Sequence, residues 1–441
     1  MRFSKGTRPL AGVALASLLA ACGHAPPMQA PAASTPNETA SLQSADQPQQ
    51  PLGADLVGAE VAALHQGFFT LDTHLDTPAF LVSLRGYDVM KRHRFFREGT
   101  QVDVPRMNEG GLDGGFWVIF TPQGALNEAS YQSVRDVALQ RSLAIHKMVA
   151  ANPETFELAT TAEDAIRIND AGKKVVFQSI ENSYPIGEDL SLIETFYKLG
   201  VRMIGPVHSR NNQFADSSTD EPQWNGLSPL GEQLVAEANR LGMVVDGSHA
   251  SDAALEDMIE LSATPVILSH SGTNAIYDHP RNVPDELLVK LAEKGGVIQM
   301  NALGRYLMDF PEPSLERTAA LQELAQKWGP ASAVPADQYE AYLDDREALN
   351  RQYPAPNAAF DHVIEHALHA LELRGPDHVG MGSDWDGGGG VTGFEDISKL
   401  PKVTAALLEA GYSEEDLQKI WGGNLLRVVK AAADHAASQE E

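Results

Sequence analysis

The sequence contains a single cysteine, Cys22, among its 441 residues. A disulfide framework needs an even set of cysteines, so none can form within one chain. The same scarcity excludes zinc sites built from thiolates and, beyond Cys22, a cysteine nucleophile. Any metal bound by the folded part must therefore be held by histidine and carboxylate side chains.

Basic residues are also scarce, with 33 Lys and Arg against 60 Asp and Glu and a formal net charge of −27. A surface with this charge repels phosphate backbones and anionic lipid headgroups. We therefore expect no nucleic-acid partner. The acidic balance favours solubility and says nothing about the fold.

The apolar run near the N-terminus, residues 9–21, is too short to span a bilayer as a mature helix. It follows a positively charged segment, residues 1–8, and ends in small residues directly before Cys22. This order resembles the bacterial lipoprotein signal, which implies a signal peptide over residues 1–21 and a lipid on Cys22. No acidic residue follows Cys22 directly, which in this pattern favours the outer membrane, facing the periplasm. An ordinary signal peptide with an incidental cysteine is the alternative.

The rest of the chain divides by composition. Residues 22–52 are rich in Pro, Ala, Gln and Ser and are predicted to form a flexible tether. Residues 53–435 are predicted to form one catalytic domain, and residues 436–441 a disordered tail. An insertion at about 303–355 is too long for an ordinary barrel loop and would lie on the catalytic face. Part of it, Asp337–Asn350, is predicted to be helical.

Short apolar runs alternate with helical patterns along this domain. Such alternation indicates parallel strands joined by right-handed crossovers, and eight strands predict an α/β fold of the (β/α)8 TIM barrel type. A doubly wound open sheet is the alternative, but the glycine-rich phosphate loop after its first strand is missing. The predicted strands are Phe68–Asp76, Gly114–Phe120, Lys174–Glu181, Val201–His208, Met243–His249, Pro265–His270, Gly296–Asn301 and His378–Asp384.

Six of these eight strands end in ionisable residues. The active sites of such barrels are built at the carboxyl ends of the strands. Burying an unpaired polar group is costly, so six such groups on one rim predict a metal site or a proton-transfer site. The residues are His74 and Asp76, then Glu181, His208, His249, His270 and Asp384.

His74 and Asp76 are two residues apart on one strand, so both side chains point to the same face. With Glu181, His249 and His270 they make five nitrogen and oxygen ligands, a set that suits Zn²⁺. One tetrahedral zinc cannot use all five. We therefore predict two zinc ions, about 3.5–4 Å apart, bridged by the Glu181 carboxylate and by a water or hydroxide.

Several stretches of the sequence resemble the membrane (renal) dipeptidase family of zinc peptidases, within the amidohydrolase-like barrels. The resemblance runs in order from residue 68 to residue 430. The four residues His279 to Asn282 are its most specific part. The matching stretches are Asp72–Asp76, Gln101–Arg106, Gly110–Gly111, Phe116–Trp117, Val245–His249, Pro265–Ser271, Asp278–Asp285, Gly382–Gly387 and Gly422–Asn424.

The resemblance implies the same metal ligands: His74 and Asp76 with Glu181 for one zinc, and Glu181 with His249 and His270 for the other. It implies a dipeptidase that acts through a zinc-bridging hydroxide, with a dipeptide as its substrate. Dipeptides with a D-residue on the carboxyl side are included. It also suggests a homodimer, and it leaves the N-terminal lipid as the only contact with a membrane.

Three more roles come from the resemblance. His208 would donate to the oxyanion that forms during attack, and Arg281 would bind the carboxylate of the substrate. Asp384 would carry the proton, and it too would contact the substrate. Structural alternatives exist for two of these residues. His208 could be a histidine of the core, and Asp384 could cap a helix or orient a metal ligand. Asp386 is an alternative candidate for the proton-transfer role.

For Arg281 the alternative to binding substrate is an ion pair with Asp278 or Asp285. Two departures from the family pattern put substrate preference in doubt. Asn182 follows Glu181 where the family has small glycines. Ala302 and the next residue follow Asn301 where the family often has an aromatic pair.

Two other functions remain open on the sequence. One is a different two-metal hydrolase that acts on a lactone, a cyclic amide or a phosphoester. Its usual marks are His-x-His in the first strand and a lysine bridge, whereas this chain has His-x-Asp and Glu181. The other is a non-catalytic lipoprotein that binds peptides. Three further histidines, His362, His366 and His369, are interpreted as partly exposed residues of an outer helix and not as ligands.

Overall fold

The computed structural model describes residues 54–440. The expected signal peptide (1–21), the lipidation site Cys22 and the tether (22–52) lie outside the described residues. Between residues 54 and 440, no helix combines the length and the apolar character needed to cross a bilayer.

The strands form two parallel sheets. The described strands are β1 (Leu71–Leu75), β2 (Gly114–Phe120), β3 (Phe156–Leu158), β4 (Lys174–Glu181), β5 (Val201–Ile204), β6 (Val244–Val245), β7 (Ile267–Thr273), β8 (Asn282–Val283), β9 (Val297–Met300) and β10 (Val379–Met381). The first sheet has the order β1-β2-β4-β5-β6, with β3 paired to β4, and the second has the order β10-β9-β7-β8.

Two parallel bridges join these sheets into one ring. Leu75 pairs with Trp385 on the β1/β10 side, and Asp246 pairs with Ile267 on the β6/β7 side. Eight strands, β1, β2, β4, β5, β6, β7, β9 and β10, therefore make a closed curved wall. The predicted (β/α)8 barrel is confirmed, and the alternative of an open doubly wound sheet is wrong.

Helices surround the wall, and local chemistry fixes several of their ends. The Ser228 side chain accepts a hydrogen bond from the Gly231 amide, and Pro229 opens the helix that follows. The α-helices are α1 (Ala54–Val57), α2 (Ala59–His65), α3 (Thr77–Ser83), α4 (Phe95–Glu98), α5 (Val104–Gly110), α6 (Glu128–Ala151), α7 (Ala162–Asp170), α8 (Ser191–Lys198), α9 (Pro229–Leu241), α10 (Asp252–Leu261), α11 (Asp285–Glu293), α12 (Leu315–Trp328), α13 (Tyr339–Gln352), α14 (Phe360–Arg374), α15 (Pro401–Glu409), α16 (Glu414–Gln418) and α17 (Asn424–Glu440).

The amino ends of the strands are filled with apolar side chains. Phe116 and Phe177 stack there with ring centroids 5.0 Å apart. Leu425 and Val429 of α17 belong to the same buried cluster, together with the first residues of several strands. Because this end is packed with apolar groups, the ionisable residues gather at the opposite, carboxyl end.

Two local expectations need correction. The predicted strands ending at His208 and His249 are shorter, since β5 stops at Ile204 and β6 at Val245, so these two histidines lie in the loops that follow. The last helix continues to Glu440, so residues 436–440 are helical and not the expected disordered tail. Between residues 303 and 355 the chain forms α12 and α13, which agrees with the helix predicted there.

Candidate active site

Glu181, the last residue of β4, lies at the centre of the ionisable cluster. Its Oε1 atom is 2.9 Å from Nε2 of His249, 3.4 Å from Nε2 of His270 and 3.6 Å from Nε2 of His208. Its other oxygen, Oε2, lies 3.6 Å from Nε2 of His74. One carboxylate therefore faces imidazoles from four separate segments, as a bridging ligand would.

Asp76 and Asp384 extend the cluster on the β1 side. Asp76 Oδ2 is 3.4 Å from Nε2 of His74, and ligand atoms of His74, Asp76 and Asp384 lie within 4.8 Å of one another. Gly387 is packed against both carboxylates, so that an added Cβ would collide with them. The five predicted ligands and Asp384 are thus brought together at the carboxyl rim, and all six are buried.

The backbone is strained where it delivers these groups. His249 has φ 68°, Asp384 has φ 61° and Asp386 has φ 66°, values that L-residues rarely adopt. Asn182, which follows Glu181, has φ 66°. Such conformations persist only when the surroundings enforce them, and they concentrate at functional sites.

The contact between His249 and His270 indicates what this cluster can hold. Their Nε2 atoms are 2.9 Å apart, and each faces the same Glu181 oxygen. Burial lowers the pKa of both imidazoles well below the ordinary value, and the positive charge of Arg281 acts in the same direction. Two neutral imidazoles that aim lone pairs at one carboxylate oxygen suit a shared cation.

The buried surroundings also shift the pKa values of His74, Glu181 and Asp384. Burial opposes the charged form of His74, but Glu181 and Asp76 outweigh it and raise the His74 pKa well above its ordinary value. Burial opposes ionisation of Glu181 too, yet His208 and His74 hold its pKa well below the usual range. Burial raises the pKa of Asp384 far above its usual range; Asp76 and Glu181 add to the rise and His74 opposes it.

Ser269 orients two of the imidazoles. Its hydroxyl donates to Asp246 Oδ2 at 2.5 Å and lies 2.9 Å from Nδ1 of His270 and 3.4 Å from Nδ1 of His74. Since the hydroxyl proton is used on Asp246, Ser269 accepts the N–H of His270, which leaves Nε2 of that ring free to bind a cation. Neither Ser269 nor Asp246 was predicted from the sequence to have a role.

Two aspartates also join the edges of the two sheets. Asp72 on β1 accepts the amides of His74 (2.9 Å) and Ser383 (3.0 Å). Asp246 accepts the Ser269 amide at 2.9 Å. Each carboxylate takes the place of a backbone acceptor where the strands of the two sheets meet. Both lie just before a predicted ligand in the chain, a spacing that could have drawn attention to them.

His208 lies at the open side of the cluster and is less buried than the five predicted ligands. Its ring contacts those of His249 and Phe120, with centroids 4.0 and 4.7 Å away. Its Nδ1 is 2.8 Å from the Ser209 hydroxyl. The interpretation as a core histidine therefore does not fit, because its Nε2 faces Glu181 and the mouth of the barrel.

Arg281 is buried and forms no ion pair with any carboxylate among residues 54–440. It donates to the His270 carbonyl at 3.1 Å, and its guanidinium lies 5.2 Å from the centre of the Tyr306 ring. The alternative pairing with Asp278 or Asp285 is not formed. A buried cation without a carboxylate partner beside this ionisable cluster can receive an anionic group.

The choice between Asp384 and its competitor follows from their contacts. Asp386 accepts the Thr77 hydroxyl at 2.7 Å and the Gln101 amide at 2.6 Å, so both of its oxygens hold the loop together. Asp384 instead belongs to the cluster with His74 and Asp76. Asp384 is the better placed of the two to exchange a proton with a reacting group.

The three histidines of α14 lie outside this cluster. His366 is buried, with 1% of its surface exposed, which corrects the expectation of partial exposure. Its Nδ1 accepts the Thr273 amide at 3.0 Å, and burial lowers its pKa to about 4. His369 is half-buried and lies 2.8 Å from Asp285. Their interpretation as residues other than cluster ligands is consistent with these contacts.

A closed parallel barrel with a histidine–carboxylate cluster on its carboxyl rim defines a class, the barrel hydrolases that use bound metal. The sequence profile of the family described as "Membrane dipeptidase (Peptidase family M19)" matches residues 58–441. The chain therefore belongs to the M19 membrane dipeptidase family of metallopeptidases, and the resemblance seen in the sequence is confirmed.

Individual relatives agree with this assignment. The chain is 33% identical over 347 residues to dipeptidase tcpJ of Claviceps purpurea, covering 77% of this chain and 71% of the relative. Among solved structures, the probable dipeptidase PvdM of Pseudomonas aeruginosa superposes with a TM-score of 0.71 at 29% identity, covering 86% of this chain and 98% of that one. A metallopeptidase of Rhodobacter sphaeroides, solved with a phosphinate mimic of the dipeptide L-Ala-D-Ala, has a TM-score of 0.64 at 25% identity, covering 83% and 99%.

Proposed function

We propose that this metallodipeptidase uses two zinc ions to hydrolyse the single peptide bond of dipeptides, including those with a D-residue on the carboxyl side. The observation that carries the proposal is the position of Glu181 between two sets of donors. His74 and Asp76 lie on one side, and His249 and His270 lie on the other. Nitrogen and carboxylate donors without sulfur are the set that zinc accepts in hydrolases.

When bound there, the cations would supply Lewis acidity, polarising the scissile carbonyl and acidifying a water molecule. The other tasks fall to side chains. Asp384 accepts the proton of the attacking water and passes it to the leaving amine. His208 faces the cluster from the open side and donates a hydrogen bond to the carbonyl oxygen as negative charge develops there.

Arg281 sets the length of the substrate. Its planar guanidinium binds the free carboxylate of the C-terminal residue, and no other carboxylate competes for it among residues 54–440. The peptide bond next to that carboxylate then lies over the cluster, so a longer peptide presents the wrong bond. The L-Ala-D-Ala mimic bound by the Rhodobacter sphaeroides relative supports inclusion of L,D dipeptides.

A panel of L,L and L,D dipeptides tests the proposal. Purified protein is assayed with added zinc, after chelation, and after zinc is restored. We expect release of both amino acids, loss of activity on chelation and recovery on restoration, with two zinc ions per chain by elemental analysis. Hydrolysis of a lactone or cyclic amide in place of dipeptides would overturn the proposal, and so would dipeptide binding without hydrolysis.

We also propose that the mature chain is held in the cell envelope by a lipid on Cys22, at the outer membrane and facing the periplasm. The sequence around Cys22 supports this location. Fractionation of cells expressing the wild type and Cys22→Ser tests it, with the mass of the N-terminal peptide as readout. The wild type should be in the membrane fraction with a lipid-modified N-terminus, and an unmodified N-terminus would overturn the location.

A further inference from the structure

A second arginine, Arg141 of α6, lies beside the carboxyl end of β2. Its guanidinium donates to the Phe120 carbonyl and lies 5.6 Å from the centre of the Phe120 ring. Phe120 is the last residue of β2, is directly paired with Glu181 in the sheet, and contacts His208. Arg141 is therefore separated from the catalytic cluster by one aromatic residue.

Arg141 lacks the partner that a partly buried cation usually has. It forms no ion pair with a carboxylate anywhere in residues 54–440, although the whole chain is strongly acidic. Burial lowers its pKa, and the negative charges of Asp76 and Glu181 act in the opposite direction. A desolvated arginine with unused donors favours an anion.

The two unpaired arginines stand on opposite walls. Arg141 donates to the carbonyl at the end of β2, and Arg281 donates to the His270 carbonyl of β7. Around the ring of eight, β2 is the second strand and β7 the sixth, so the two strands face each other across the barrel. The cluster around Glu181 lies between them.

This arrangement gives a direction to a bound dipeptide. If Arg281 binds the carboxylate of the C-terminal residue, the N-terminal residue points across the cluster toward the β2 wall. An extended dipeptide is about 7 Å long, short enough to lie between two facing walls with its peptide bond over the cluster. The side chain of its N-terminal residue then meets the Phe120 ring and the Arg141 guanidinium.

We propose that Arg141 is a specificity-determining residue that favours dipeptides with an acidic side chain on the N-terminal residue. The inference rests on the proposed function, because it uses the orientation that Arg281 imposes. The aliphatic part of a glutamate side chain packs on Phe120, and its carboxylate pairs with Arg141. Nothing else in the described chain neutralises this arginine, so an uncharged side chain leaves it unpaired.

The test compares two nearly isosteric substrates, Glu-Ala and Gln-Ala, which differ in one charge. For the wild type we expect kcat/KM to be higher for Glu-Ala by about tenfold, the size of one charge-assisted hydrogen bond at a partly exposed site. Arg141→Met should reduce this ratio to about one, and Arg141→Lys should retain part of it because the charge remains. High salt should reduce the wild-type ratio.

Arg135→Met is the matched control. Arg135 lies on the same helix and also donates to a loop carbonyl, that of Pro185 at 3.0 Å. The control should keep the wild-type Glu-Ala to Gln-Ala ratio. A purely structural role for Arg141 would change kcat/KM for both substrates equally, and an unchanged ratio in Arg141→Met would overturn the inference.

The two proposals fail in different ways. Zinc-dependent hydrolysis of Gln-Ala without a preference for Glu-Ala would end the assignment of Arg141 and leave the dipeptidase standing. Absence of hydrolysis of every dipeptide, with zinc present, would end both.

Discussion

The Ser269 hydroxyl lies 2.9 Å from Nδ1 of His270, while Nε2 of the same ring faces Glu181 at 3.4 Å. Ser269→Ala removes the acceptor that fixes this tautomer and leaves the neighbouring Asp246 without its shortest hydrogen bond. We expect zinc affinity to fall by about 10–100-fold, the usual effect of removing a group that orients a metal ligand. Competition with a chromogenic chelator measures this.

Ser179→Ala is the control for that variant. Ser179 is buried on β4, two residues before Glu181, and its hydroxyl has no hydrogen-bond partner in the described residues. It should bind zinc as the wild type does. Equal affinities for Ser269→Ala and the wild type would contradict the orienting role of Ser269.

Variants of Asp384 and Asp386 should have different effects, one on catalysis and the other on the stability of the loop. Asp384→Asn removes the proton acceptor, and we expect kcat to fall by about 10²–10⁴-fold, the range for general acid–base groups. Zinc content should remain at the wild-type level, since Asp384 is not among the five predicted ligands. Steady-state kinetics and elemental analysis on one preparation measure both quantities.

Asp386→Asn is the companion variant. Its oxygens hold Thr77 and Gln101, so the change should mainly lower the melting temperature. If Asp386→Asn lost more kcat than Asp384→Asn, the two roles would have to be exchanged.

Arg281 should distinguish dipeptides with a free carboxylate from their C-terminal amides. The wild type should hydrolyse the amides about 10–100-fold less efficiently, because a buried charge-assisted pair is then left unmade. Arg281→Met should hydrolyse both forms equally slowly. Arg305→Met is the control, because Arg305 packs on Phe310 and should not affect this discrimination. Discrimination that persists in Arg281→Met would place the carboxylate elsewhere.

His366 predicts a loss of stability in acid. Burial holds its pKa at about 4 in the folded chain, against an ordinary value of 6.5. The unfolded chain therefore binds more protons between these values, so stability falls as pH drops from 6.5 toward 4. The loss attributable to this residue is about 2 kcal/mol by pH 5 and about 3 kcal/mol below pH 4.

The His366→Asn variant isolates this effect. Its amide oxygen can still accept the Thr273 N–H but cannot be protonated in this range. The pH dependence of its unfolding free energy, measured with urea, should be flatter than that of the wild type. Parallel curves for His366→Asn and the wild type would falsify the prediction.

The barrel and the ionisable cluster could both be predicted from the sequence because both follow from simple periodicities. The limits of β2 (Gly114–Phe120) and β4 (Lys174–Glu181) agree with those predicted, since each is a buried apolar run with a clear end. Ligands at strand ends are visible as polar residues that interrupt such runs. The added strands β3 and β8, of three and two residues, are too short to produce a pattern.

Contacts between distant parts of the chain could not be predicted in this way. The hydrogen bond between Ser269 and Asp246 joins residues 23 positions apart, and the one between His366 and Thr273 joins residues 93 positions apart. Arg141 resembles any other charge on an amphipathic helix until its side chain is seen to reach the Phe120 carbonyl. The burial of His366 follows from which face of α14 packs on the wall, and helical spacing alone does not reveal that face.

The wall of the barrel is weakest where Leu75 meets Trp385 and where Asp246 meets Ile267, because only one backbone bridge pairs the strands at each place. The Asp72 and Asp246 carboxylates add side-chain hydrogen bonds there. The cluster reaches across this division, with Glu181 on one sheet and His270 on the other. Cations held between them would therefore hold the two sheets together as well as take part in catalysis. Metal depletion should loosen the protein at these two places first, making the apo form the one most readily cut by proteases.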